Sequence, residues 1–311
     1  MGQLGSLRAV HQVLTTLARG YTNAQLVAEE LFPIAPVDKE AVYIPVFGKD
    51  AFKNRSTERA IRAASNRINP DSRSNVAAVL VEHDLEYPID VREEQESDFS
   101  EQEHAAMVVT EAIKLRLEKL AAILATTAGS YAAGSRVTLS GSSQFSHADC
   151  DPVTVFETGK EAIRTLTGKY PNKAVLGATT FAALKSNPAL LERIKYSMKG
   201  VLTVELLQEI LGIPKIVVGA AVSSNDAGTA MSDVWSDVAV LAFVPNGSMQ
   251  SIYEPSYGYT LRKRGYPQVD QYTENGGKLQ IVRCTDILLP KIVGADAGYL
   301  ISDTCAPVAG L

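Results

Sequence analysis

The chain has 311 residues, of which 46% are hydrophobic and 21% are charged, a composition that is typical of globular proteins. Its net charge of −5 argues against a dedicated nucleic-acid binder with a basic footprint, although one basic face remains compatible with it. No apolar run approaches the ~20 residues that a membrane-spanning helix needs, so we expect no membrane partner.

Motifs of enzyme chemistry are missing from the sequence. It has no G-x-S-x-G elbow, Walker loop, H-E-x-x-H or C-x-x-C pattern, and nothing marks two carboxylates as a paired acid and base. The cysteines Cys150, Cys284 and Cys305 are odd in number and widely spaced, which fits a reducing cytosol better than a disulfide framework. His147 and Cys150 have no second pair of ligands, so we expect no metal, no cofactor and no catalytic residue.

Residues 98–127 are predicted to form one long amphipathic helix. Ser100 with Glu103 three residues later is a capping-box pattern at its start, and Gly129 stands just past its end. The helix would be roughly 45 Å long, and it has many more residues than the usual helix of about 11–12. This length suggests a spine against which other layers pack, and an ordinary long core helix is the alternative. Its apolar stripe recurs every three or four residues, at Val109, Ile113, Leu117, Leu120 and Leu124.

Ahead of this helix the sequence predicts a helical N-terminal segment, which is either an arm or a small packed helical start, and then a hairpin. Residues 4–17 and 23–31 favour two short helices, and Pro33 ends the second. Strands are predicted at residues 42–47 and 76–85, and the long region between them is polar and basic. Loops of this length are usually functional or disordered. The basic residues of this region are Lys49, Lys53, Arg55, Arg59, Arg62, Arg67 and Arg73.

The charge inverts directly after the hairpin. Acidic residues dominate residues 82–103, among them Glu93, Glu94 and Glu96, and Arg92 alone opposes them. The basic loop and the acidic segment that follows it can neutralise each other within one chain or between copies. A loop that projects from its own body favours contact between copies. Two separately solvated faces are the alternative.

In the second half of the chain, predicted helices alternate with strands as in an α/β body, and further strands close the chain. Residues 128–150, rich in Ser, Gly and Ala, mark a domain boundary with one short strand at 136–140. Trp235 is expected to be a core or rim aromatic, and the Asn-Gly-Gly sequence at 275–277 predicts a hairpin. The predicted helices are residues 152–166, 179–186, 188–195 and 203–211, and the predicted strands are 174–177, 215–219, 238–244, 257–263, 268–272, 278–284, 287–293 and 299–302.

The parts therefore follow the order arm, basic hairpin loop, long helix, α/β body and returning strands. This order resembles the major capsid protein of tailed bacteriophages, which has the Hong Kong 97-type fold. The similar segments include residues 86–92 (EYPIDVR), which lead into the long helix, residues 201–219 (VLTVELLQEILGIPKIVVG) and residues 298–301 (GYLI). The resemblance covers nearly the whole chain and implies an α+β fold of this type.

The resemblance also assigns a role to each segment. Residues 1–40 would be the N-terminal arm, and residues 41–85 the extended loop, or E-loop, which lies over a neighbouring subunit. Residues 86–149 and 256–311 would form the peripheral domain with the spine helix, and residues 150–255 the axial domain at the centres of pentamers and hexamers. The chain would be a structural protein of the virion, assembled in the host cytoplasm into an icosahedral shell around double-stranded DNA that it contacts non-specifically.

Further partners follow from the same resemblance. Some relatives carry a long N-terminal scaffolding region, whereas this arm begins almost at Met1, which implies a separate scaffolding protein or a processed product. A portal is expected as well, and a decoration protein fits the family. Covalent cross-linking of Lys49 or Lys53 to Asn275 beside Glu274 is not expected, because many members lack it. The residues expected at interfaces between copies are Lys49, Lys53, Arg55, Arg59, Arg62, Arg67, Glu93, Glu94 and Glu96.

Two other functions are compatible with the sequence. An encapsulin-like nanocompartment shell of the same fold would enclose cargo enzymes instead of DNA, and the material that co-purifies would distinguish it. An unrelated cytosolic α/β enzyme with an insertion would be a monomer or small oligomer with a ligand pocket in residues 150–255.

Overall fold

Two five-stranded sheets and one long helix form most of the molecule. The computed structural model describes residues 23, 25–69, 73–97, 100–195, 202–224, 228–245 and 254–306. The helix predicted at residues 4–17 lies outside these ranges. The helix predicted at residues 23–31 is shorter than expected, because α1 (Ala28–Leu31) is a single turn that ends before Pro33.

Four strands follow α1, and two of them form a ribbon. They are β1 (Ile34–Val37), β2 (Ala41–Phe47), β3 (Arg73–Val79) and β4 (Val81–Asp90). β2 and β3 pair with each other as an antiparallel ribbon, which carries the basic loop. The prediction of one strand at residues 76–85 is wrong in one respect: the strand is interrupted at Leu80, whose N–H donates to the Glu40 carbonyl at 2.8 Å.

Two helices follow β4. They are α2 (Val91–Glu96) and α3 (Glu101–Thr126), and α3 corresponds to the long predicted helix. Ser100 Oγ accepts a hydrogen bond from Glu103 N–H at 3.2 Å and so caps the start of α3. The 26 residues of α3 span ~39 Å.

The buried stripe of α3 follows the prediction only in the first half of the helix. Val109, Ile113 and Leu117 are buried, whereas Leu120 and Leu124 are half-buried. The stripe shifts because the second half contacts α1 and the core around it instead of the sheet that the first half covers. The buried residues there are Glu118, Ala121, Ala122 and Ala125.

An α/β body comes next. Its elements are β5 (Arg136–Thr138), α4 (Pro152–Thr167), β6 (Lys173–Gly177), α5 (Ala178–Ser186), α6 (Pro188–Ile194), α7 (Val204–Leu211), β7 (Lys215–Gly219), β8 (Val222–Ser224), β9 (Met231–Asp233) and β10 (Ala239–Ala242). The four helices match the predicted ones to within one or two residues. The hairpin of β8 and β9 escapes prediction, because each strand has only three residues.

The closing strands are β11 (Gly258–Lys263), β12 (Gln268–Glu274), β13 (Leu279–Ile292) and β14 (Gly298–Ser302). Residues 275–277 have positive φ in the turn between β12 and β13, which confirms the predicted hairpin. The two strands predicted at 278–284 and 287–293 are wrong as separate elements. Thr285 and Asp286 do not break β13, because both stay in its backbone ladder with β4.

Sheet 1 is organised around β13. β11 and β12 pair with its two halves on one side, β4 pairs with it on the other side, and β1 lies parallel to β11. Helix α3 covers one face of this sheet, where Val109 and Ile113 pack with Cys284.

Sheet 2 has the strand order β5–β14–β10–β6–β7. Two of its strands, β5 and β14, come from residues 86–149 and 256–311, outside the predicted axial segment at 150–255. Strand β4 likewise crosses the expected boundary between residues 85 and 86. The division into domains by residue number stays a prediction.

Glu118 on α3 is buried and joins three parts of the chain. Its Oε2 accepts from Ala28 N–H at 2.8 Å, its Oε1 accepts from Trp235 Nε1 at 2.6 Å, and Val27 N–H lies 3.0 and 3.1 Å from the two oxygens. N–H groups at the start of a helix have no partner within the helix, and this carboxylate supplies one. Trp235 is fully buried, so it is a core aromatic.

Glu30 and Asn23 hold the segment around α1 against sheet 2 and against strand β8. Glu30 pairs with Lys173 on β6 at 3.0 Å and with Lys215 on β7 at 2.6 Å. The Asn23 amide donates to the Val222 carbonyl at 2.8 Å and accepts from Val222 N–H at 3.0 Å. The segment around α1 is therefore fixed to two strands of sheet 2 through Glu30 and to strand β8 through Asn23.

Replacing Glu118 by Ala should lower the free energy of unfolding by about 3–5 kcal/mol, because three buried N–H groups lose their acceptor. Glu118→Gln should cost about 1–2 kcal/mol, since one acceptor oxygen remains. Urea unfolding of the unassembled chain, followed by the fluorescence of the single Trp235, measures both. The neighbouring exposed Lys119→Ala is the control and should change stability by less than about 0.5 kcal/mol. Equal losses in all three variants would contradict this role of Glu118.

The Glu30 pairs should make stability sensitive to acid. Burial alone would raise the pKa of the Glu30 carboxyl, but hydrogen bonds from Lys215 and Lys173 hold this pKa below the usual value of 4.5. A carboxyl whose pKa is lowered by folding contributes stability above its unfolded pKa and loses it as the pH falls through the folded pKa. The stability gap between the wild type and Glu30→Gln should therefore shrink below pH 4.5.

Urea unfolding at a series of pH values measures that gap. Glu29→Gln, at the exposed neighbouring position, is the matched control and should show no comparable pH dependence. A gap for Glu30→Gln that stays constant with pH would refute the assignment.

Candidate assembly interface

The ribbon of β2 and β3 supports the E-loop. On its inner face Ala78 packs with Ile287 of sheet 1. On its outer face Tyr43 is 75% exposed and Val79 is 64% exposed. The ribbon is thus anchored through one face and presents apolar side chains on the other.

The middle of the E-loop, residues 59–67, is called the loop tip here. Ala63 N–H donates to the Ala60 carbonyl at 3.1 Å, and Arg62 adopts a left-handed φ of 68°. Arg59 Nη1 donates to the Ala63 carbonyl at 2.8 Å. Ile61 is 92% exposed within this turn. The tip therefore presents an apolar side chain between two arginines.

The root of the E-loop contacts the body of the same chain. A 3₁₀ turn at Lys49–Phe52 begins the loop, and Lys49 Nζ pairs with Asp296 Oδ2 at 2.8 Å. The Phe52 ring lies against Gly168, where an added Cβ would come within 3.0 Å of the ring. Both partners belong to turns of the body: Asp296 lies between β13 and β14, and Gly168 follows α4.

The remaining basic residues of the loop divide into two groups. Lys53 pairs with the Asp50 carboxylate, and Arg55 Nη2 donates to the Asp50 carbonyl at 3.3 Å. In contrast, three arginines of the loop tip form no ion pair with any carboxylate in the part of the chain that the structure describes. They are Arg59, Arg62 and Arg67.

The predicted acidic residues of α2 are partly occupied by helix capping. Glu93 Oε2 accepts from Asp90 N–H at 3.4 Å, and Glu94 Oε2 accepts from Glu101 N–H at 3.1 Å. Glu96 is exposed at the last position of α2. No ion pair links Glu93 or Glu94 to the E-loop among the described residues. Within the described ranges, the structure therefore does not pair these two glutamates with the basic residues of the loop.

A larger acidic surface lies on the face of sheet 1 that α3 leaves uncovered. Side chains alternate along a strand, so Arg283 points away from α3 because its neighbour Cys284 packs against that helix. Residues directly opposite in the ladder share a face, and Glu86 and Asp270 flank Arg283. The exposed carboxylates of this acidic sheet face are Glu82, Asp84, Glu86, Asp270 and Glu274.

Hydrogen bonds organise the acidic sheet face. The Arg283 guanidinium donates to both carboxylate oxygens of Asp270, at 3.0 and 2.6 Å, and holds the pKa of Asp270 below its usual range. Tyr272 OH donates to Glu86 Oε1 at 2.6 Å, and this bond raises the pKa of Tyr272 to about 12. Sequence reasoning missed this surface, although the acids at every second position of β4 are a signal for it.

Cys150 and His147, which the sequence singled out as a possible pair of metal ligands, form local hydrogen bonds. Cys150 Sγ donates to the Ser143 carbonyl at 3.1 Å, and His147 Nδ1 accepts from Asp149 N–H at 3.2 Å. Burial raises the pKa of the Cys150 thiol. Within the described ranges, no group of three or more His, Cys, Asp or Glu side chains could hold a metal ion. None of the helices in those ranges is both long and apolar enough to cross a membrane.

Comparison with solved structures places the fold among shell proteins. The chain is similar to the capsid of cyanophage P-SCSP1u, with a TM-score of 0.63 at 11% identity over 92% of this chain and 90% of that chain. It is also similar to the SrpI encapsulin of Synechococcus elongatus PCC 7942, with a TM-score of 0.55 at 14% identity over 94% and 95% of the two chains. The fold is the α+β Hong Kong 97-type fold of shell proteins, as the sequence predicts.

More similar proteins identify the family. The major capsid protein of Burkholderia phage BcepMu is 52% identical over 305 residues, which cover 97% of this chain and 99% of that protein. A phage-related protein of Bordetella bronchiseptica RB50 is 31% identical, with a TM-score of 0.76 over 96% of this chain and 99% of that chain. No protein-family model matches the sequence. The chain belongs to the family of phage major capsid proteins.

These findings decide between the functions that the sequence left open. The family is one of structural capsid proteins, which are not enzymes. The encapsulin-like alternative is less supported, because the likeness to the encapsulin is one of fold alone at 14% identity.

The ion pair of Lys49 and Asp296 should restrain the root of the E-loop without adding much global stability, since exposed pairs contribute about 0–1 kcal/mol. Lys49→Ala should raise amide hydrogen exchange across residues 48–55 severalfold, while urea unfolding of the chain stays unchanged. The exchanged pair Lys49→Asp with Asp296→Lys should return the exchange rate towards that of the wild type. Lys39→Ala, at another exposed position, is the control. Unchanged exchange in Lys49→Ala would contradict the restraint.

Proposed function

We propose that this chain assembles as pentamers and hexamers into the icosahedral head shell of a phage that encloses double-stranded DNA. The observation that carries the proposal is the 52% identity to the BcepMu major capsid protein over almost the full length of both chains. Assembly in the host cytoplasm, incorporation into the virion and non-specific contact with the packaged DNA follow from that function.

The segments would divide the work of assembly. Residues 1–40 serve as the N-terminal arm, and residues 41–85 as the E-loop that lies on a neighbouring copy. Residues 86–149 and 256–311 form the peripheral domain around α3, and residues 150–255 form the axial domain at the centres of pentamers and hexamers. The projecting ribbon and its anchoring through Ala78 support the role of the E-loop.

The shell would assemble through many equivalent weak contacts between copies of the chain. Identical chains bury the same surfaces against each other under point-group symmetry, and the contacts of each subunit add through the high local concentration of its neighbours. Basic E-loop residues and α2 carboxylates lie at these contacts. They are Lys49, Lys53, Arg55, Arg59, Arg62, Arg67, Glu93, Glu94 and Glu96.

Other head proteins would take part in the process. A separate scaffolding protein or processing of the chain, a portal, and in some heads a decoration protein fit the family role. Co-expression of the chain with the other head proteins of its phage tests these partners directly.

Electron microscopy of the purified chain, with and without those partners, tests the function first. We expect closed shells, or rings of five and six subunits. Only monomers under both conditions would refute the proposal.

Charge reversal of the loop tip tests its part in assembly. Arg59→Glu with Arg62→Glu should lower the yield of shells about tenfold or more, since each contact recurs in every subunit. Circular dichroism and urea unfolding should match the wild type, because both side chains are exposed. Arg59→Lys with Arg62→Lys, which keeps the charge, is the control. Normal shells from the reversed variant would exclude the loop tip from assembly.

A further inference from the structure

The turn between β12 and β13 carries an Asn-Gly pair. Asn275 and Gly276 have φ values of 51° and 68°, and Gly277 N–H donates to the Glu274 carbonyl at 3.0 Å. Positive φ at both central positions is typical of a type I′ turn. Residues 273–278 are all exposed. The turn therefore presents the Asn275 side chain and the peptide bond that follows it to water.

No contact within the described ranges protects this pair. Neither the Asn275 carboxamide nor the Gly276 N–H forms a hydrogen bond with a described residue. Apart from its chain neighbours, a Cβ added to Gly276 would meet no atom within 4 Å. A single turn bond at the exposed end of a hairpin opens locally far more easily than the centre of a sheet. Asn275 can then rotate until its side chain approaches the Gly276 nitrogen.

The Asn275 amide carbon and the Gly276 nitrogen can react with each other. The nitrogen loses its proton and bonds to Cγ, the Cγ–Nδ2 bond breaks, and ammonia leaves with that proton. The product is a five-membered cyclic imide. Water then opens the ring at either carbonyl, which gives aspartate or its β-linked isomer, isoaspartate. The reacting atoms are held close together because their residues are adjacent, and glycine has no Cβ to obstruct the approach.

The other asparagines lack this combination of features. Asn172 exchanges hydrogen bonds with Val244 at 2.6 and 2.9 Å, and Asn187 precedes a proline, which has no N–H. Asn246 precedes Gly247 but lies outside the described ranges. The asparagines that precede a residue other than glycine are Asn23, Asn54, Asn66, Asn69, Asn75, Asn172, Asn187 and Asn225. Within the described ranges, Asn275 alone combines a following glycine with an open, exposed turn.

We propose that Asn275 is a site of spontaneous modification, at which the side-chain amide is lost to water through a cyclic imide with the Gly276 nitrogen. Each event adds one negative charge beside Glu274, at the end of the acidic sheet face. Isoaspartate also adds one carbon atom to the backbone of the turn, so the bond from Gly277 N–H to the Glu274 carbonyl cannot keep its geometry. The reaction needs only the folded chain and water, and it is therefore independent of shell assembly.

Peptide mass spectrometry of the purified full-length chain follows the reaction. Trypsin cleaves after Arg264 and Lys278 and releases residues 265–278, in which Asn275 is the only asparagine. The control peptide, residues 74–92, contains only Asn75, which lies inside β3. During incubation the first peptide should lose its amide at least about tenfold faster than the second.

The same experiment at several pH values tests the chemistry of the step. The loss should accelerate towards alkaline pH, because the attacking nitrogen must give up its proton. A zero-time sample corrects for loss during digestion. Equal loss from the two peptides, or a rate that does not rise with pH, would overturn the proposal.

Two glycine variants separate the attacking nitrogen from the turn as a whole. Gly276→Ala and Gly277→Ala both place a Cβ at a positive φ, so both strain the turn. Only Gly276→Ala crowds the attacking nitrogen, and it should slow the loss about tenfold, whereas Gly277→Ala should not slow it. Circular dichroism checks that both variants fold. A loss from Gly276→Ala as fast as that from the wild type would exclude the cyclic imide and overturn the proposal.

Discussion

The carboxylate of Glu118 fixes how the main parts of the chain are placed against each other. It lies on the helix that covers sheet 1, and its partners are the N–H groups that enter α1 and the indole ahead of β10 in sheet 2. A buried charge that loses its partners costs several kcal/mol, so all three segments must keep their positions together. The ribbon on sheet 1 therefore projects from a body whose two sheets have one fixed arrangement.

Local signals in the sequence were sufficient for much of the fold. Thr203 caps the start of helix α7, the left-handed Gly212 follows its end, and residues 275–277 make the expected turn. Contacts between distant segments were not readable in the same way. Thr285 looks like a strand break in the sequence, yet it lies inside β13 because two neighbouring strands complete its ladder. Glu118 looks like one more charged helical residue, since its three donors lie 90 or more positions away.

The basic and the acidic parts of the candidate interface also differ in how far the sequence alone reveals them. The basic loop is a run of nearby residues, so composition alone locates it. The acidic sheet face combines Glu86 from β4 with Asp270 from β12, and only the pairing of both strands with β13 puts them on one surface. In the sequence, the acids near the hairpin form one block. The fold separates that block into carboxylates that cap helices, such as Glu93, and carboxylates exposed on the sheet.

The E-loop is bound to its own chain at the root, whereas its tip arginines form no ion pair among the described residues. The pair of Lys49 and Asp296 is exposed and therefore weak, so it can orient the loop without holding it rigidly. The tip arginines keep their charge available for another copy, and exposed contacts of about 0–1 kcal/mol each can open and reform during assembly. Wrong contacts can then dissociate before a shell closes, while the repeated contacts of a closed shell add up to a stable structure. A loop with strong bonds to its own chain could not release wrong contacts in this way. A loop without a root contact would lose more conformational entropy when it forms the contacts of a closed shell.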